Sequence, residues 1–258
     1  MNNMFDLTGK VAVVTGASSG LGRDAALCYA DYGADVALLA RRKEKLDEVA
    51  REITAKGRKA IPIVCDVTDE HSVEKAVAEV VEHFLKIDIL LNNAGVAIMG
   101  TVDQLSEADW DTSMEVNVKG MYLMSKFVLP HMRKQRYGKI VNLASINAVV
   151  ADKGYELARH AYNTSKAAVR GLTMGMAATY MEENITVNSI GPGLFESEMT
   201  IDSLFKHEDF IKLYNQLTPA SRHGRKGELN GTIIYLSSDA STYVTSQHII
   251  VDGGFTSV

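Results

Sequence analysis

Val11-Ala12-Val13-Val14 runs directly into Thr15-Gly16-Ala17-Ser18-Ser19-Gly20-Leu21-Gly22, and a helix-like stretch follows. Strand, glycine turn and helix in that order make a phosphate cradle. Glycines permit the turn and let backbone approach a ligand, while the unpaired N–H groups and partial positive charge at a helix start attract a pyrophosphate. The spacing G-x-x-x-G-x-G is neither the common dinucleotide fingerprint nor the phosphate loop, which needs a lysine after its last glycine where this chain has Arg23. A plain tight turn is the bland alternative, and the position after the first strand favours the cradle.

Outward from this stretch, short apolar runs recur with helix-length segments between them: Val11–Thr15, Val36–Leu39, Ala60–Val64, Ile87–Leu91, Lys139–Leu143, Ile185–Ile190 and His248–Val251. Runs apolar on both faces suit parallel strands covered on each side, and right-handed crossovers then give an α/β fold, a doubly wound parallel sheet with helices on both faces. Ligands in such sheets bind beyond the carboxyl ends of the strands. At those ends stand the glycines, Ala40-Arg41-Arg42, Asp66-Val67, Asn92-Asn93-Ala94-Gly95, Ser145 and Gly191-Pro192-Gly193. With no internal repeat or linker and only four prolines, residues 1–258 read as a single dinucleotide-binding and catalytic domain.

A net charge of −5 without a basic tail argues against non-specific nucleic-acid binding. Two cysteines, Cys28 and Cys65, stand at no metal-ligand or redox spacing, so no metal is expected and the thiols read as reduced core groups of a cytoplasmic protein. No signal pattern opens the chain, and no apolar run reaches the roughly 18 residues of a membrane span.

In dinucleotide-binding folds an acidic residue about 20 positions past the glycines takes the ribose 2′-hydroxyl, and an arginine there accommodates a 2′-phosphate. Here that place reads Leu39-Ala40-Arg41-Arg42. A guanidinium grips a phosphate that a carboxylate would repel, which favours NADP(H) over NAD(H). In the bland alternative the pair is a solvated helix start, a role that suits Arg42 better than Arg41.

Tyr162-Asn163-Thr164-Ser165-Lys166 puts a phenol and an ammonium on one helix face. A free tyrosine, with a pKa of about 10, is a poor base at neutral pH, but a neighbouring lysine and an oxidised nicotinamide would both favour the phenolate. Tyr122 and Lys126 show the same spacing, yet they lie within the long amphipathic segment from Asp109 to Arg133 and read as packing.

Taken in order, Thr15 to Gly22, Asn92 to Gly95, Asn117, Ser145, and Tyr162 with Lys166 resemble the short-chain dehydrogenase/reductase family over essentially the whole chain. The resemblance implies a Rossmann-like fold and a homotetramer. It implies that Tyr162 exchanges a proton with the substrate oxygen, that Ser145 hydrogen-bonds that oxygen, that Lys166 holds the nicotinamide ribose and depresses the tyrosine pKa, and that Asn117 holds a proton-relaying water chain. Gly16, Ser18, Ser19, Gly20, Leu21, Gly22, Arg41, Arg42, Asp66, Val67, Asn93, Ala94, Gly95, Tyr162, Lys166, Pro192, Gly193 and Ser197 are the expected cofactor contacts, Asp66 at the adenine edge. Asn92 is expected to brace the sheet and Thr15 to orient the turn.

The stretch from Gly191 to Gly254 looks most like gluconate 5-dehydrogenases, which suggests a keto-sugar acid or polyol as substrate. A 3-oxoacyl thioester or a hydroxysteroid is the alternative, and an NADP(H)-sensing binding protein the non-enzymatic one. Residues 194–218 are expected to form an apolar substrate lid. Tyr162 stands 17 positions after Ser145, longer than the family's commonest spacing. The extra length places Lys153, Arg159 and His160 where they meet an anionic substrate or simply face solvent.

Overall fold

The computed structural model describes residues 3–201 and 204–258. In chain order, β1 (Val11–Thr15) leads into α1 (Gly20–Asp31), β2 (Asp35–Ala40) into α2 (Lys43–Ala55), and β3 (Ala60–Val64) into α3 (Glu70–Phe84). After β4 (Ile89–Asn92) come α4 (Glu107–Met114), a π-helical turn (Glu115–Lys119) and α5 (Gly120–Gln135). Next, β5 (Gly138–Leu143) precedes α6 (His160–Tyr180), and β6 (Ile185–Pro192) precedes α7 (Glu198–Ile201), α8 (Glu208–Leu217) and α9 (Asn230–Ser237). The last strand is β7 (His248–Val251). Among the described residues the seven strands form one parallel sheet in the order β3-β2-β1-β4-β5-β6-β7.

Side chains alternate across each strand, and both faces are apolar. Ala12 and Val14 of β1, Val36 and Leu38 of β2, and Ile89 and Leu91 of β4 pack with α1, α2 and α9. Val13, Ala37, Leu39 and Leu90 point the other way, onto α3, α5 and α6. This double burial is why the strands read as continuous hydrophobic runs. The strand order reverses beside β1, whose neighbours are β2 and β4, and the crevice at such a switch point is where this architecture binds ligands.

Several strand boundaries differ from the sequence reading, and the two largest shifts have identifiable reasons. The fourth strand begins at Ile89 rather than Ile87 because the Asp88 carboxylate is buried, accepting the Val11 N–H at 2.8 Å and pairing with Lys86 at 3.0 Å. The sixth continues past Ile190 because Gly191 and Pro192 still pair with Ile250 and Val251. The expected segment from Asp109 to Arg133 is α4 and α5 joined by the π-helical turn, a change of phase seldom found away from functional sites. No described helix is long and apolar enough to cross a membrane.

Candidate active site

A groove of about 810 Å³ opens along the carboxyl ends of β1, β2, β4, β5 and β6. The glycine turn forms one end of it. Thr15 clamps that turn to the segment after β4, its hydroxyl oxygen accepting the N–H groups of Asn93 (2.9 Å) and Ala94 (3.0 Å). In return the Asn93 amide donates to the Thr15 carbonyl at 2.9 Å. Gly16 has φ +66°, and a Cβ on Gly22 would lie 2.5 Å from the Gly16 carbonyl oxygen. The first turn of α1 therefore presses against the loop it follows, and Ser19 at its N-cap makes no side-chain cap, which leaves first-turn N–H groups for a ligand anion.

At the end of β2, Arg42 is exposed and also engaged. Its guanidinium donates to the hydroxyls of Ser18 (3.0 Å) and Ser19 (2.9 Å) and to the Glu198 carboxylate (2.7 Å). Lys45 also pairs with Glu198, and these donors hold the Glu198 carboxyl down at about 2. A guanidinium, an ammonium and the Ser19 hydroxyl thus converge on the Glu198 carboxylate, which occupies the position of a bound anion. Arg41 lines the groove nearby, and its field helps to lower the Asp66 pKa, after the dominant Thr68 N–H. Asp66 is fixed by the Thr68 N–H (3.0 Å) and hydroxyl (2.8 Å) at the end of β3.

The far end of the groove gathers Ser145, Tyr162 and Lys166, all at least nine-tenths buried. Ser145 follows β5; Tyr162 and Lys166 share one face of α6, with the ammonium 5.5 Å from the phenol ring centroid. Lys166 donates to the Leu143 carbonyl at 2.8 Å. The π-helical turn points Asn117 inward, where its amide oxygen accepts the Val96 N–H (2.8 Å) and its NH2 donates to the Val96 carbonyl (2.9 Å) and Ser165 hydroxyl (3.0 Å). A Cβ on Gly95 would lie 3.0 Å from Asn117 Oδ1 and 3.5 Å from Lys166 Nζ, so Gly95 keeps this corner open.

The electrostatics differ from the sequence reading in one respect. Burial raises the Tyr162 pKa, and the groups opposing that rise are the Ser145 hydroxyl and then Arg159. Burial also lowers Lys166 to about 8. Burial thus opposes the phenolate, and the help expected from Lys166 and an oxidised nicotinamide works against that burial.

Of the other expected contacts, Gly20, Leu21, Val67, Ala94, Pro192, Gly193 and Ser197 line the groove, and the Asn93 amide is committed to the glycine turn. Asn92 braces the sheet, donating to Asn142 at 2.9 Å. Tyr122 is exposed on α5 and Lys126 pairs with Glu70, away from the groove. Lys153 is exposed; Arg159 is paired with Asp152 (2.9 Å), and His160 Nδ1 accepts the Val102 N–H at 2.9 Å. Lys153 therefore faces solvent, the second of the two readings offered for this loop, while Arg159 and His160 are engaged within the protein. Leu194, Leu204 and Tyr214 of the expected lid pack with Leu157 and Phe255, Tyr214 stacking on Phe255 at 4.7 Å; residues 202 and 203 of that segment lie outside the described residues.

Glu198, Lys45 and Asn147 are site residues that sequence reasoning missed. A carboxylate after Ser197 carries no signal that it will cross to the end of β2. Asn147, two residues past Ser145, accepts that serine's hydroxyl at 3.3 Å and gives its own N–H to the serine oxygen at 3.1 Å.

Comparison with known proteins agrees with this geometry. The family model described as short chain dehydrogenase matches residues 10–207. Gluconate 5-dehydrogenase of Gluconobacter oxydans is 39% identical over 98% of this chain and 97% of its own length. NAD-dependent glycerol dehydrogenase of Listeria innocua is 39% identical over 98% and 96%. The crystal structure of a gluconate 5-dehydrogenase from Burkholderia cenocepacia in complex with NADP and tartrate superposes with a TM-score of 0.94 at 35% identity, covering 99% of this chain and 98% of that one.

Proposed function

The chain belongs to the short-chain dehydrogenase family, oxidoreductases that act on CH–OH donors with a nicotinamide cofactor, and from that premise we propose that it interconverts a ketone and a secondary alcohol with NADP(H), on a keto-sugar acid or polyol. The observation that carries the cofactor choice is Arg42 seated on Ser18 and Ser19. Overall identity does not separate the two nicotinamide cofactors, since the glycerol dehydrogenase at 39% identity is named NAD-dependent and the solved structure at 35% is in complex with NADP. The local charge supports NADP(H): cations stand at the end of β2 where NAD(H) binding uses a carboxylate. The donors that now hold Glu198 fit a terminal phosphate, which has to share or displace that carboxylate.

Bound in the groove, the nicotinamide supplies or takes up the hydride. The protein's residues do the rest. Tyr162, protonated in its buried position, gives its proton to the carbonyl oxygen during reduction and takes it back during oxidation. Ser145 turns its single hydroxyl proton from Asn147 Oδ1 to the same oxygen as negative charge develops there, while its oxygen keeps the Asn147 N–H. Lys166, anchored on Leu143, would hold the ribose of a bound cofactor, and Asn117 holds the backbone of Val96 at the corner where a proton relay would run.

Arg42→Ala is expected to weaken NADPH binding by roughly 10- to 100-fold, the loss of one charge-assisted contact, while NADH binding changes little. Glu198→Gln is expected to act in the opposite direction, tightening NADPH alone. Titration by protein fluorescence checks both. For the substrate, NADPH consumption is followed against 5-ketogluconate and related keto-sugar acids, β-ketoacyl thioesters and ketosteroids. Turnover of the first class supports the assignment, and rapid turnover confined to either of the others removes it.

A further inference from the structure

The segment that separates Ser145 from Tyr162 carries a polar relay that ends at both residues. Asn147, bonded to Ser145, donates through its NH2 to Asp152 Oδ2 at 2.9 Å. The same carboxylate oxygen accepts from Arg159 Nε at 3.0 Å and lies 2.9 Å from Arg159 Nη2. The Arg159 guanidinium carbon stands 6.0 Å from the Tyr162 ring centroid, and its side chain is only 11% exposed. Backbone contacts fix this arrangement: Gly100 donates to the Ala158 carbonyl at 2.7 Å, His160 donates to the Gly100 carbonyl at 3.1 Å, and Asn163 donates to the Val150 carbonyl at 3.0 Å.

We propose that Arg159 and Asp152 are positioning residues that set the proton affinity of the Tyr162 phenol with opposite signs, Arg159 favouring loss of the proton and Asp152 opposing it. The inference rests on Tyr162 being the acid–base group. A cation within about 6 Å stabilises a phenolate, and an anion behind that cation takes back part of the effect. Such a pair can act here because it is shielded from solvent and cannot swing away. The Lys166 ammonium, held by Leu143, stands closer still, 5.5 Å from the ring centroid, and favours the phenolate in the same direction as Arg159. Among the remaining charged groups, Glu115 is 3.6 Å from Lys119, Glu198 is bound to Arg42 and Lys45, and the His160 ring nitrogen faces Val102, so each is engaged elsewhere. The direction of Arg159's effect on Tyr162 agrees with this geometry, as does the opposite direction of Asp152's.

The test uses the NADP+ complex of protein labelled with 13C at tyrosine Cζ, in which the Tyr162 signal is the one missing from Tyr162→Phe. Arg159→Gln is expected to move the Tyr162 midpoint up by about one pH unit and Asp152→Asn to move it down by a smaller amount, with Arg159→Lys close to the parent. A merely structural role would not give shifts of opposite sign. Midpoints that stay put, or that move the same way in both variants, overturn the proposal. A Tyr162 signal that titrates no earlier than the other tyrosines in the parent complex overturns the acid–base assignment on which it rests.

Discussion

Tyr162→Phe is expected to lower the turnover number roughly 10²- to 10⁴-fold, the range for losing a positioned general acid, while leaving NADPH affinity and thermal stability close to the parent. The ring is buried and phenylalanine refills it, so packing survives. Ser145 keeps its bonds to Asn147 in the variant, so the oxygen-binding hydroxyl stays in place. What disappears is the buried phenol proton beside Ser145 at the far end of the groove. Steady-state rates together with NADPH titration separate the two effects. Turnover within tenfold of the parent would show that another group moves the proton.

Gly22→Ala is expected to cost about 3 kcal/mol or more, the upper range for overpacking against groups that cannot yield. Its Cβ would meet the Gly16 carbonyl oxygen at 2.5 Å and also the Asn93 amide, which is bonded to Thr15. Neither neighbour is the loose end of a flexible side chain. For a chain of this size the loss corresponds to a melting point lower by roughly 10 °C, and the opened turn should also lose NADPH. Gly231→Ala, where a Cβ meets nothing within 4 Å, serves as the control and is expected to be neutral or slightly stabilising. A Gly22→Ala protein that melts with the parent would mean that the turn and α1 can separate at little cost.

The strands were legible because each is apolar on both faces and flanked by polar ends; β1, β3 and β7 begin and end where the pattern places them. Departures arise where a single side chain replaces part of a ladder, as Asp88 does ahead of β4. The π-helical turn was hidden for a different reason. Apolar spacing continues smoothly from Asp109 to Arg133, and the phase change that brings Asn117 inward adds no residue type that would mark it. Ordered motifs located Tyr162, Lys166, Ser145 and the glycine turn, since those depend on spacing along one element.

Contacts between distant elements were much less legible. Arg41 and Arg42 are adjacent cations at a strand end, and which one reaches Ser18 and Ser19 is set by the extended backbone of Arg42 at the start of α2. Glu198 lies 156 positions from Arg42, and nothing in its neighbourhood announces the pairing. The burial around Tyr162 was not legible for a related reason. The sequence shows the lysine one turn away but not the burial that raises the phenol and lowers the ammonium together.

Transfer of deuterium from [4-²H]NADPH to product is the most direct test of the central assignment, a hydride passed between NADP(H) and a carbonyl held by Ser145 and Tyr162. With 5-ketogluconate as acceptor, the account predicts that deuterium from one face of the reduced ring appears on the new carbinol carbon, and that Tyr162→Phe abolishes the transfer while still binding NADPH. NADPH oxidised without deuterium in the product, or label transferred equally well by Tyr162→Phe, would contradict it.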